Sequence, residues 1–189
     1  MPDQDAHPRT LVTPRLLLRR WTDADREPFA RINADPRVME HFPAPMTRDG
    51  SDALVDRIVA SFDENGYGLW ALEVRAGGEF VGFTGLALQT FEAHFTPAVE
   101  VGWRLASSAW GHGYATEAAS ASLDLAFGPL GLDEVVSLTA RVNTRSIAVM
   151  ERLGMTRDPA DDFEHIRVPE GHRLRPHVLY RIRKGISRP

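Results

Sequence analysis

The stretch Glu100–Ala118, EVGWRLASSAWGHGYATEA, decides how this chain is read. Counted from Val99, its first part alternates: Val99, Val101, Trp103 and Leu105 fall on one side of an extended chain, and Glu100, Gly102 and Arg104 on the other. That period of two marks a strand, predicted over Val99–Leu105, with one apolar face. The second part sets Gly111 and Gly113 just before a run in which Ala115, Ala118, Ala119, Ser122 and Ala126 recur at spacings of three or four. This small-residue stripe predicts a helix over Ala115–Phe127 that lies close to a sheet, ended by Gly128-Pro129. A strand, a glycine loop and a helix start form an anion site, because the first helical amides lack internal partners and the aligned peptide dipoles add partial positive charge. The candidate donors are the amides of His112, Gly113, Tyr114, Ala115 and Thr116. The same glycines also suit a tight turn that serves backbone geometry alone.

Working outward, residues 1–10 are polar with two prolines and predict a flexible tail; a single domain is expected over 11–189. Leu11–Trp21 reads as a first strand with Pro14 near its start. Helix signals follow at Thr22–Asp25, running to about Asn33 and stopping before Pro36. Asp49 or Ser51 caps a second helix to about Asn65, with Leu54, Ile58 and Phe62 as its apolar stripe. Leu69–Val74 and Phe80–Leu88 form a hairpin turning at Gly77-Gly78. Beyond the third helix, Glu134–Val142 is a strand, Thr144–Leu153 a helix closed by Gly154, and His177–Lys184 a last strand. Hairpins followed by strand-helix alternation imply a mixed α/β (α+β) sheet of six or seven strands with helices against it.

Composition excludes several classes. The chain has 189 residues, 43% of them hydrophobic and 25% charged, which excludes disordered and fibrous chains. Twenty-two Lys and Arg stand against 26 Asp and Glu, a net charge of -4. That balance disfavours a nucleic-acid partner. No apolar run approaches the ~20 residues of a membrane span, and no signal-peptide stretch opens the chain, so no membrane partner and a cytoplasmic location are expected. The absence of cysteine removes thiolate metal sites and a cysteine nucleophile. His165, His172 and His177 are interrupted by Pro169, Gly171 and Pro176, so no metal site is expected.

The loop is neither a Walker loop, since no Gly-Lys-Ser/Thr follows, nor a dinucleotide fingerprint, since the third glycine is missing. It resembles the pyrophosphate loop of the GNAT superfamily of N-acetyltransferases, Gln/Arg-x-x-Gly-x-Gly/Ala. Here those six positions are Trp110, Gly111, His112, Gly113, Tyr114 and Ala115, with Trp in place of Gln or Arg. The string WGHGYATEA is similar to the RimJ and RimL branch, where Trp commonly stands first. Two further segments match in order: Glu100-Val101-Gly102-Trp103 resembles the family's Glu-x-Gly-Tyr/Trp strand, and NTRSIAVMERLGM (Asn143–Met155) its Asn followed by a helix ending in Leu-Gly-Met.

The resemblance implies a mostly antiparallel central sheet of about seven strands, flanked by about four helices, with splayed central strands. It implies acetyl-CoA as co-substrate, its pyrophosphate on the loop amides and its pantetheine arm between Val99–Leu105 and Glu134–Val142. Trp103, Arg104 and Leu105 would border the arm, their backbone amides bonding it and polarising the thioester carbonyl. Asn143 would bond the arm or cap the following helix. The reaction it implies is direct attack by a primary amine, either a protein N-terminus or a small molecule.

Glu100 is the candidate base, since a carboxylate on a central strand is costly unless it lines a cleft or has a partner; the alternative is a pair with Arg104. Many GNAT enzymes protonate the leaving thiolate with a Tyr, but that position is Met150 here. Ser146 is the nearest replacement, as a thiol-stabilising donor or a merely solvated hydroxyl. His41 and Phe42 in the loop Pro36–Thr47, and Phe91 and Phe95 in Gln89–Pro97, are candidates for an amine-binding wall; the alternative is core packing. The likeness also implies a possible homodimer. A CoA-binding protein without efficient catalysis and a nucleotide-binding α/β module remain the competing readings.

Overall fold

The computed structural model describes residues 10–186, so the tail expected at the N-terminus lies, but for Thr10, outside the described residues. The chain opens with β1 (Leu11–Val12) and β2 (Leu16–Arg19), paired antiparallel with Leu11 opposite Leu18. The sequence predicts one strand here; Pro14, which cannot donate to a ladder, sits instead in the turn that folds the segment back on itself. A short turn of helix at Asp23–Asp25, boxed by Thr22, leads into α1 (Arg26–Ala34). α1 stops ahead of Pro36 as its sterics require.

α2 (Arg48–Asn65) is capped by Thr47, whose Oγ1 accepts from the Gly50 amide at 3.1 Å. Neither Asp49 nor Ser51 caps it. Ser51 is fully buried and its Oγ accepts from Asn33 Nδ2 at 2.8 Å, so it belongs to the α1–α2 contact. The buried stripe of α2 is Ser51, Val55, Ile58 and Phe62, with Leu54 only partly covered.

β3 (Leu69–Val74), β4 (Glu79–Gln89) and β5 (Ala98–Leu105) form the antiparallel middle of the sheet. The turn between β3 and β4 contains Gly77 and Gly78, the latter at φ 69°, as a tight hairpin turn requires. α3 (Tyr114–Phe127) follows, then β6 (Glu134–Ala140), two residues shorter than its apolar pattern indicates because Arg141 and Val142 turn toward α4 (Thr144–Arg152).

Two short strands, β7 (Thr156–Arg157) and β8 (Phe163–Glu164), pair with β9 (Pro176–Arg183). Among the described residues the sheet therefore has nine strands, not about seven, in the order β1-β2-β3-β4-β5-β6-β9-β7 with β8 also on β9. The extra strands are two-residue pieces that periodicity cannot reveal.

Among the described residues only the β5–β6 contact is parallel. α3 lays Ala118, Ala119, Ser122, Leu123 and Ala126 flat on the sheet against Leu86 and Val101. The aromatic residues of the α1–α2 side, Phe29 and Phe83, fill the other face. No helix of the described residues is long and apolar enough to cross a membrane.

Candidate active site

The central strands separate. β4 and β5 match over eight positions, from Gly82 opposite Leu105 to Gln89 opposite Ala98, whereas β5 meets β6 only where Glu100 faces Val136. Beyond that pair the strands diverge, and a cleft of about 1040 Å³ opens between them. Gly102, Trp103, Arg104 and Leu105 of β5 line one side, and Ser137, Leu138 and Thr139 of β6 the other.

At one end lies the glycine loop. Gly111 and Gly113 both sit at φ 78°, a left-handed conformation that other residues rarely adopt. Gly113 stands at the N-cap of α3 without a side-chain cap. Among the described residues no acceptor takes the amides of Gly111 through Thr116; the first α3-side bond is Glu117 N–H to Gly113 O at 3.0 Å. Gly111, Gly113, Tyr114, Ala115 and Thr116 all line the cleft. A row of unspent N–H groups at a helix N-terminus, next to open space, suits a phosphate.

The His112 side chain turns away from the cleft. Its Nδ1 lies 2.9 Å from Trp110 O and its ring stacks on Tyr114 at 5.3 Å. Arg15 holds the loop from outside, donating to His112 O at 2.8 Å and to Glu117 at 2.6 Å. Trp110 donates its indole N–H to Leu105 O at 3.1 Å and carries the Arg145 guanidinium over its ring at 4.5 Å.

On the opposite face of β5, turned away from α3, sit Glu100 and Arg104. They do not pair. Glu100 Oε2 accepts from Gln89 Nε2 at 2.6 Å, and Arg104 Nη1 donates to Asn33 Oδ1 at 2.7 Å. Burial pushes the Glu100 carboxyl up to about 7, against partial relief from the Leu138 amide and Gln89. Burial likewise lowers the Arg104 guanidinium to about 10. Gly102 between them leaves the floor bare: a Cβ there would meet only Glu100 Oε1, at 3.9 Å.

Asn143 caps α4. Its Oδ1 accepts from the Ser146 amide at 3.2 Å, and its Nδ2 donates to Thr139 Oγ1 at 2.9 Å and Ser146 Oγ at 3.1 Å. Both amide protons are thus committed inside the protein, so what remains for a ligand is a lone pair on Oδ1. Because Ser146 Oγ and Thr139 Oγ1 each accept from Asn143, their hydroxyl protons are free to point into the cleft that both residues line. Met150 is buried in the core and offers no proton.

The expected amine wall divides. His41 and Phe42 line the cleft. Phe91 and Phe95 do not: Phe91 stacks on His165 at 4.8 Å, and Phe95 meets Phe163 at 5.0 Å, forming a small aromatic core beneath the loop. The wall on that side is His165 and Arg167 instead. His165 and His177 have ring centroids 4.7 Å apart, and burial holds both below the usual histidine range, His165 at about 4. Among the described residues no group of three His, Asp or Glu side chains could hold a metal.

Sequence reasoning missed Gln89, Asn33 and Thr139, which hold Glu100, Arg104 and Asn143. Gln89 could have been found, since an antiparallel register places it across the hairpin from the start of β5; Asn33 could not.

Comparison with known proteins agrees with this geometry. Residues 15–156 match the acetyltransferase (GNAT) domain family. The chain is 34% identical over 148 residues to the uncharacterised protein YkkB of Bacillus subtilis, covering 77% of this chain and 84% of that one. It is also 34% identical over 154 residues to the FsC-acetyl coenzyme A-N(2)-transacetylase of Aspergillus fumigatus, covering 78% of this chain and 65% of that one. An acetyltransferase crystal structure from Agrobacterium tumefaciens superposes with a TM-score of 0.75 at 30% identity, covering 93% and 94% of the two chains. A splayed β5–β6 pair with unspent loop amides at its mouth, and a family match over most of the chain, lead to one conclusion: this chain belongs to the GNAT acetyltransferase family.

Proposed function

We propose that the chain transfers an acetyl group from acetyl-CoA to a primary amine by direct attack in a ternary complex. One observation carries this reading: the cleft joins the unbonded amides of Gly111–Thr116 to a buried carboxyl, Glu100, across open strand edges. The cofactor fits that arrangement, with its pyrophosphate on the loop amides and its arm between β5 and β6. Bound there, it supplies a thioester carbonyl as the electrophile.

The residues divide the work. Glu100, held at about 7, is half ionised near neutrality and accepts the proton of the incoming ammonium, directly or through water. A carboxylate near 7 matches an α-amine of pKa ~8 better than an alkyl amine of ~10. This match, with the likeness of WGHGYATEA to the RimJ and RimL branch, supports an α-amine as acceptor. Backbone amides of the Trp103–Leu105 segment stabilise the carbonyl oxygen as it gains charge. Ser146, whose oxygen already accepts from Asn143, directs its proton toward the departing sulfur. Acetyl-CoA chemistry also supports the cytoplasm as the place of action.

Thiol release measured against a panel of primary amines tests this. Amine-dependent release of CoA is the expected result. Acetyl-CoA binding with no release for any amine would favour the second reading, a CoA-binding protein of the same fold, which the buried Met150 at the usual acid position keeps in view.

A further inference from the structure

Two partly buried arginines of this chain are treated differently. Arg19 lies between Asp25 and Glu73, each at 2.7 Å. Arg104, whose Nε is buried, forms no ion pair among the described residues. Its Nη1 reaches the neutral Asn33 Oδ1 at 2.7 Å and Met46 Sδ at 3.5 Å, and its guanidinium lies 4.2 Å over the Phe42 ring and 5.6 Å from Phe83. Its Nε has no acceptor, and among the described residues the hydrogen bonds of the guanidinium leave from Nη1, not Nη2.

Asn33 is itself fixed: it is fully buried and its Nδ2 donates to Ser51 Oγ at 2.8 Å. The guanidinium is therefore held in place by groups that carry no charge, and a buried cation without a counter-ion is a costly arrangement to keep. Folding alone does not call for it.

Position supplies a reason. Arg104 lines the cleft on the same side of β5 as Glu100, with only Gly102 between them. Four residues of strand separate their Cα atoms by about 13 Å. Val101 and Leu105, on the other side of the strand, pack toward α3, so Arg104 points away from the helix whose N-terminus would hold the cofactor phosphates.

Resting on the reading of this cleft as an acceptor site, we propose that Arg104 binds an anionic group of the acceptor. The substrate is then an amine that also carries a carboxylate, its nitrogen at Glu100 and its carboxylate on the unspent donors of Arg104. The Cα separation of the two residues is the reach of about four extended residues. A guanidinium presents fixed, paired N–H donors that suit a carboxylate. Two sources share this carboxylate chemistry: the free carboxyl of an amino acid or short peptide, and an acidic side chain near a protein N-terminus.

Matched probes test the proposal. The series Gly, Gly-Gly and Gly-Gly-Gly is compared with the corresponding C-terminal amides, and hexapeptide amides with Asp at position 2 or 3 with their Asn counterparts. Thiol release gives kcat/KM, and the Arg104 Nε–H resonance of arginine-labelled, CoA-bound protein reports contact without turnover. In at least one series the carboxylate probes should exceed their amides by tenfold or more, mainly through KM, and should shift the Nε–H resonance to saturation. Which series does so identifies the source.

In Arg104→Gln that ratio should fall to about one, and Arg104→Lys should restore part of it. Equal kcat/KM for carboxylates and amides, or a ratio that survives Arg104→Gln, would overturn the proposal while leaving acetyl transfer intact. If Arg104→Gln fails to fold, an Nε–H resonance unmoved by every carboxylate probe in wild type overturns it alone. No thiol release and no shift with any probe would overturn the acceptor-site reading together with this inference.

Discussion

Strand β5 has two unlike edges. Along one it is matched to β4 over eight positions; along the other it meets β6 at Glu100 and Val136 and then parts from it. The closed seam carries Leu86 and Val101, both fully buried under α3. The face of β5 turned away from α3 carries Glu100, Gly102 and Arg104, which line the cleft that the open seam creates. Backbone groups that pair in the first seam are left unpaired in the second, and the titratable side chains on the face away from α3 line the cleft that this opens. One strand thus separates the tasks of holding the fold and presenting chemistry.

The sharpest way to break this comparison is Glu100→Gln. Thiol release should fall by about 10² to 10⁴, the usual contribution of a positioned base, while acetyl-CoA affinity changes by less than about threefold. Stability should move the other way. The Glu100 carboxyl titrates at 4.5 unfolded and about 7 folded, so the native state holds the extra proton in that window and loses stability as pH rises through it. Glu100→Gln should therefore gain on wild type in urea melts between pH 5 and 8. A variant that loses both activity and stability at pH 8 would place Glu100 in the fold rather than the chemistry.

The closed seam predicts the converse. Leu86→Ala should cost about 2–5 kcal/mol in denaturant unfolding and leave acetyl-CoA affinity unchanged in the folded protein. Equal losses in both would show that the two edges are not separable.

The pH profile sharpens the comparison further. The rate should rise with pH through about 7 as Glu100 loses its proton. Gln89→Leu removes a hydrogen bond to the carboxylate, so the inflection should move upward. A flat profile from pH 6 to 8 would contradict the assignment of the base. The smallest effect is expected from Ser146→Ala, a loss of about three- to tenfold in kcat, the scale of one hydrogen bond. No loss would return Ser146 to its contacts with the helix cap.

Much of this was legible in the sequence. The alternation of Val99–Leu105 and the glycines at 111 and 113 located both the strand and the loop, because period and positive φ leave local marks. What escaped was set by long-range contact. The partner of Arg104 is Asn33, 71 residues away, and nothing near either residue announces it. Strand spacing leaves a Glu100–Arg104 pair open as the alternative to a base, and the structure gives each residue a separate partner instead. Phe91 and Phe95 went the way of most aromatics, into a core with Phe163 and His165 that closes only when the chain from Phe163 to His177 folds over them. Thr47 took the cap from Asp49 and Ser51 because packing of α1 on α2 claimed Ser51 first.

Calorimetry tests, without choosing an acceptor, whether the open seam holds acetyl-CoA by the amides of its loop. Acetyl-CoA is titrated into wild type, Gly111→Asn and Gly111→Asp, with ATP as control. A Cβ at Gly111 meets nothing within 4 Å, and Asn and Asp both tolerate its left-handed backbone, so the pair differs in charge alone. Micromolar binding to wild type, weakened tenfold or more in Gly111→Asp than in Gly111→Asn, is the predicted result. Binding no tighter than ~1 mM, about 4 kcal/mol, or equal binding to both variants, would contradict it.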